Sequence, residues 1–284
     1  MASAPKFTFD MIDSAGYGYH RVWQERAYLM RLAFIPLIIK FILTLCVYAF
    51  GYEDEILRRG LIMLPGALVQ GWELGQFLRT LMMEERWPMP LPKAGDELAI
   101  SKLILRARGI ISATLVYTLI ALVVNVMGWG ASLLDGSLQD LAAQQAACTV
   151  ERDDNPIFFF PALLMIGSLI MIFPLLWVYI PYAVLMPMKD YLARVIGFLP
   201  SLKMFSVFLI CMVPLNVLAS LFSYALVRPY GDTLEAAPAV IRFIMLLISV
   251  GADMITALIV TTGMAYALRD VVPRHPAALA NVKS

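Results

Sequence analysis

Three ionisable residues lie where an apolar helix can least accommodate them. Lys40, Glu73 and Asp253 each sit inside a long apolar run, several turns from its ends. A charge at the centre of a membrane helix costs at least ~2.5–3.5 kcal/mol on insertion scales, so such residues are expected to pair or to line water. One lysine and two acids at a common depth leave three chemistries open. Two carboxyl groups on different helices can share a proton, as in an aspartic protease. A carboxyl group can bind and release a proton while a solute crosses. The charges can also pair and fix helix register. The expected arrangement is Lys40 on one carboxylate, with the other carboxyl group at least partly protonated because burial disfavours its charged form.

The neighbours of these residues are small or polar. At 100° per residue, Gly66, Gln70, Gln76 and Thr80 fall within about 60° of Glu73. This polar lining is expected to face protein or water. Gly71 and Gly75 lie on the opposite face, at the small-xxx-small spacing that lets helices approach closely. Ser249 and Thr256, with Ala252 and Gly263, line up near Asp253. Asn125 and Asn216 are single polar residues in apolar surroundings, where hydrogen bonds between helices are the expected role.

Several chemistries lack their residues. His20 and His275 both lie in polar flanks, so no imidazole is available for a serine or cysteine nucleophile or for a haem inside the apolar runs. The stretch Val250-Gly251-Ala252-Asp253 departs from the GxGD signature of intramembrane aspartic proteases at both glycines, and the second acid would be Glu73. No glycine-rich phosphate loop and no CxxC occur. Cys46 and Cys211 fall in apolar runs and Cys148 in a polar loop, which gives no disulfide framework. The acidic stretches 53–55 and 135–154 have no calcium-loop spacing. Neither a metal, a cofactor nor an enzymatic role is therefore expected. A net charge of +1 without a basic aromatic stripe predicts no nucleic-acid partner.

The elements that must carry these residues follow from composition. The chain is 61% hydrophobic and 15% charged, far more apolar than an ordinary soluble domain. Its apolar runs have the length that crosses a bilayer, ~20 residues. They predict an all-α polytopic fold of six spans: 32–50, 61–83, 109–133, 157–184, 204–227 and 241–268. Pro161, Pro174 and Pro181 predict a kinked or broken fourth span, and Pro36, Pro65 and Pro214 bends in three others. Sixteen lysines and arginines fall on one side of this layout and five on the other, with Lys40 inside span one. That bias predicts both termini in the cytoplasm and, with no cleavable leader in the first 25 residues, a multi-pass protein of the inner (cytoplasmic) membrane.

Span geometry then places Glu73 and Asp253 about 18 Å, and Lys40 about 15 Å, from the outer ends of their helices. The three are expected to meet near the midplane. Residues 1–31 read as a cytoplasmic arm, 32–268 as the membrane domain and 269–284 as a cytoplasmic tail. In the arm Ile12, Ala15, Tyr19, Val22 and Trp23 recur at helical spacing, as in an amphipathic helix lying in the membrane interface, although Gly16 and Gly18 weaken that helix. Tyr17, Tyr19 and Trp23 suit an aromatic belt. The proline-rich stretch 86–93 reads as a stiff extended connector.

The lipid bilayer is the expected environment. No internal repeat of the transporter kind is visible. The preferred expectation is a non-enzymatic scaffold, accessory or assembly subunit, holding other membrane proteins or a second copy of itself. The alternative is a small proton-coupled transporter using Glu73 and Asp253.

Overall fold

The computed structural model describes residues 9–88, 96–147, 167, 170–231 and 237–271, with side chains left aside over 133–147. It is helical throughout, and no strand occurs among the described residues. Helix α1 (Met11–Gln24) is followed directly by α2 (Arg26–Ala49), then α3 (Ile56–Met83) and α4 (Glu97–Ala147). A 3-10 turn at Phe173–Trp177 leads into α5 (Tyr179–Ala183) and α6 (Met188–Val195). Helices α7 (Phe198–Val227) and α8 (Ala239–Ala267) complete the bundle.

Four of these helices are long and apolar enough to cross a membrane: Arg26–Ala49, Glu97–Ser132, Phe198–Tyr230 and Ala239–Ala267. They leave most of their apolar surface exposed, as helices facing hydrocarbon do. Helix α3 has 28 residues, enough length, but its polar and glycine content lowers its hydropathy below theirs. It is instead the buried helix: from Gln70 to Thr80 nearly every side chain is covered, because α2, α4 and α8 pack around it.

Prolines act differently in different places. Pro36, Pro65 and Pro214 lie inside continuous helices. Over 170–195 the helix breaks instead into a 3-10 turn containing Pro174, a five-residue helix containing Pro181 and a turn before α6. The rest of the expected fourth span, the proline-rich stretch 89–93, the second acidic stretch beyond 147, Cys148 and most of the C-terminal tail lie outside the described residues. Helix α4 starts well before residue 109, because no glycine or proline between Glu97 and Arg108 interrupts it.

The bundle is unevenly packed along its length. One end carries α1, the start of α2, the end of α3 and α5–α6. There Leu74, Phe77, Leu78, Ile180, Tyr191 and Met204 form a closed core. The other end carries the α2–α3 loop and the starts of α3 and α8, where Arg242 reaches the Tyr48 hydroxyl at 3.4 Å.

The described part of the N-terminal arm is helical from Met11. Its last residues, from Arg26, already belong to α2. Helix α1 is capped by Asp10, which accepts from the N–H groups of Ile12 (2.8 Å) and Asp13 (3.1 Å). Its buried face is Ser14, Ala15 and Gly18, turned onto α7 and α8, whereas Ile12 and Trp23 are largely exposed. Gly18 is a contact residue rather than a weak point. A Cβ there would meet the Ile259 carbonyl at 2.7 Å, so only glycine lets the two helices come this close. Tyr17 stacks on Tyr266 at 4.2 Å, and Tyr19 donates to the Cys211 carbonyl at 2.8 Å.

Candidate functional site: an ion pair beside an open polar cavity

Lys40 is a buried cation, 5% exposed and packed between helices. Its helix turns it toward α3, where Gly66 makes room: a Cβ at Gly66 would approach Lys40 Cγ at 3.2 Å. The ammonium donates to Gln70 Oε1 at 2.8 Å and pairs with Asp253 Oδ2 on α8. Three helices are thus tied together through one nitrogen.

The two partners of the pair see different surroundings. The Lys40 side chain is 7% exposed, whereas that of Asp253 is 64% exposed. Asp253 therefore presents its carboxylate outward from the pair, and Lys40 stands behind it.

What Asp253 faces is a cavity of about 1140 Å³ between α2, α3, α4, α7 and α8. It occupies the half of the bundle nearer the α2–α3 loop, where the closed core ends. Polar groups from all five helices line it, among them Thr44, Gln70, Asn125, Ser220, Ser249 and Thr256. Four aromatic residues, Tyr117, Trp177, Tyr179 and Phe208, form part of its wall. Tyr117 meets Tyr179 edge to face at 5.2 Å, and Tyr179 shares a 2.8 Å hydrogen bond with Thr261. Trp177 is 7% exposed, and its Nε1 has no hydrogen-bond partner; neither has Thr256 Oγ1. Buried polar atoms usually find a partner in protein or water, so these two mark places where a ligand or water can bind.

Glu73 lies deeper than the pair. It is 1% exposed, its Oε1 has no partner, and it stands within electrostatic reach of Lys40. Tyr117 lies in turn within reach of both Glu73 and Asp253. Lys40, Glu73 and Asp253 therefore occupy one neighbourhood, with the lysine on Asp253 and Gln70. Glu73 and Asp253 share no hydrogen bond, which separates this arrangement from a proton-sharing dyad.

The expected polar stripe on α3 divides into two sites. Gln70 belongs to the Lys40 pair. Gln76 and Thr80 do not line the cavity; they join a second network toward the closed end. There Arg106 of α4 donates to Gln76 Oε1 at 2.8 Å and to the Arg86 carbonyl at 3.2 Å. Arg79 donates to Glu85 Oε2 at 2.7 Å and to the Ala183 carbonyl at 2.8 Å, at the buried C-terminal end of the short helix α5. Thr80 donates to the Glu85 carbonyl at 3.1 Å and lies 3.2 Å from the Tyr28 hydroxyl.

Arg79 and Arg106 are among the sixteen charges counted on the inner side, and both are 3% exposed. Arg79 stood inside an apolar run, and that was the available signal. The folding of Arg106 onto Gln76 left no signal, because the two are thirty residues apart.

The glycine face packs against α4. A Cβ at Gly71 would meet the Thr114 carbonyl and the Tyr117 ring at 3.1 Å, while one at Gly75 would find ordinary contacts at 3.6 Å. Ser249 and Thr256 lie on the cavity side of α8. Asn125 and Asn216 are corrected: each amide donates within its own helix, to Ala121 O at 2.8 Å and Met212 O at 2.9 Å, although Asn125 packs closely on Gly60 of α3. Among the described residues no group of three potential metal ligands comes together.

Comparison with known protein families, curated proteins and solved structures returned no match, so the chemistry of the site is argued from its own residues.

Proposed function

We propose that this chain is a small permease of the inner membrane, in which a polar solute enters the open half of the bundle and meets Asp253. The observation that carries this reading is the unequal exposure of the ion pair. A pair that only fixes helix register is most effective when sealed on both sides, since water weakens it. Here the carboxylate borders a solute-sized cavity with hydroxyl and amide groups on its walls.

In this reading α3 and the segment 157–184 supply two further spans beside the four apolar helices, and both termini are cytoplasmic. The contact of α1 with the end of α8 favours termini on a common side. The lysine and arginine bias favours the cytoplasm for that side. The cavity then opens outward, and the closed core forms the inner gate.

A scaffold or accessory role is the second reading. It draws support from the Arg79–Glu85 and Arg106–Gln76 network, whose groups are packed into the closed end without lining any cavity.

The deciding experiment is uptake into proteoliposomes under an imposed pH gradient, using labelled amines, carboxylates, amino acids and sugars. Uptake of one class, lost in Asp253→Asn, is the expected result. No uptake of any class, together with a stoichiometric co-purifying membrane protein, would replace the permease by the scaffold.

A further inference from the structure

We propose that the solute is a monovalent organic cation, bound by Asp253 against the aromatic wall and exchanged for a proton from Glu73. The proposal rests on the permease reading and adds the solute class and the coupling step.

The class follows from which charge the cavity meets. Three charged residues line the cavity: Lys40 is covered, Arg59 near the α2–α3 loop donates to the Glu53 carbonyl, and Asp253 is the exposed carboxylate, so a ligand that reaches the ion pair meets a negative group. Tyr117, Trp177, Tyr179 and Phe208 stand around the same cavity, and aromatic faces attract ammonium groups. Trp177 Nε1, buried and without a partner, leaves a donor for a polar atom elsewhere on the ligand. The volume, about 1140 Å³, suits a drug-sized molecule rather than a bare metal ion.

The coupling follows from charge balance. Lys40 and Asp253 cancel each other, and Glu73 is then neutral only if it carries its proton. When an organic cation takes Asp253, the Lys40 ammonium loses its anion. Gln70 already holds that ammonium, and Glu73 is the next polar residue on the same face of α3, three residues on and ~4.5 Å along the axis. Lys40 moves to Glu73, whose carboxyl proton is released past Lys40 and Gln70, which line the cavity where Glu73 itself does not. One positive charge enters the site and one proton departs, so the net charge stays constant. Lys40 of α2 and Tyr117 of α4 stand within electrostatic reach of Glu73, Tyr117 in turn reaches Tyr179 of α5 and Asp253 of α8, and Arg59 of α3 is the other positive charge on the cavity wall. Helix α7 contributes hydroxyl, amide and apolar groups to the cavity, with no charge.

The test is calorimetric titration of the detergent-purified full chain with benzyltrimethylammonium, in two buffers of different ionisation enthalpy. Benzoate and benzyl alcohol serve as the matched anion and neutral ligand. The cation is expected to bind with release of about one proton. Asp253→Asn should weaken it by about tenfold or more. Glu73→Gln should bind the cation without proton release, and Lys40→Met should bind it more tightly, because no lysine must be displaced. Size-exclusion profiles establish that each variant is folded. Binding of benzoate in preference to the cation overturns the cation assignment while leaving a permease. Full proton release in Glu73→Gln overturns the exchange step. Failure of all three ligands overturns the organic-cation assignment, and the permease reading then rests on the uptake assay alone.

Discussion

A single ammonium group holds three helices together at the centre of this protein. Lys40 reaches Gln70 on α3 and Asp253 on α8, and its stem packs tightly over Gly66, where a Cβ would lie 3.2 Å from Lys40 Cγ. Removing one partner of a buried pair costs about 3–5 kcal/mol when the other is left without solvation. The two halves of this pair differ in that respect. Lys40 is covered, so Asp253→Asn strands a buried cation, whereas Lys40→Met strands a carboxylate that water reaches. Asp253→Asn is therefore expected to lower thermal stability in detergent more than Lys40→Met does. The double variant should be more stable than the sum of the single losses predicts. Equal single losses that add would show that the pair has no energetic coupling. At the closed end, Arg106→Met leaves Gln76 Oε1 and the Arg86 carbonyl without their donor. A loss of about 1–3 kcal/mol in the same unfolding measurement is expected.

At the scale of the element, close approach of backbones decides how the helices sit. Three glycines form a graded series. Gly18 on α1 leaves no room for a Cβ against the Ile259 carbonyl, Gly71 on α3 would press on Thr114 and Tyr117, and Gly75 has ordinary space. Alanine at 18 should therefore release α1 from α8, read as faster hydrogen exchange over residues 11–24. Alanine at 71 should lower the melting temperature, because neither the Thr114 carbonyl nor the Tyr117 ring at the cavity wall can give way cheaply. Alanine at 75 should be neutral or slightly stabilising, since alanine favours helix. A reversed order of 71 and 75 would contradict the packing of α3 on α4. The break over 170–195 belongs to this scale as well. It frees the Ala183 carbonyl, and Arg79 satisfies it, with Gly109 leaving the space in which they meet.

The whole molecule is closed at one end and open at the other, which gives it a direction. The closed end gathers α1, the end of α3 and the start of α4, and most of the lysines and arginines lie there. A topology experiment follows. With the three native cysteines replaced, a thiol at Asp54, in the α2–α3 loop, should react with a membrane-impermeant maleimide in intact cells. A thiol at Lys102, near the start of α4, should react only after permeabilisation. The reverse pattern would turn the cavity toward the cytoplasm and make the proposed solute path an inward-facing one.

Much of this protein was legible before any coordinates. Apolar runs of bilayer length required helices, because only a helix satisfies every backbone group within one segment. The cost of burying charge brought Lys40, Glu73 and Asp253 into one expected neighbourhood, since no other ionisable groups lay near the middle of the runs. Which acid receives the lysine was beyond that reasoning: helix depths set heights along the bundle, whereas rotation and neighbours are set by packing. The tertiary structure decided that Asp253, on α8, takes the ammonium and that Glu73 stays behind. It also divided the α3 stripe, giving Gln70 to the pair and Gln76 and Thr80 to two arginines counted as loop charges. The cavity depends on the same cause. A void between helices is made by side chains from five separate segments, and no local period records the distance between them.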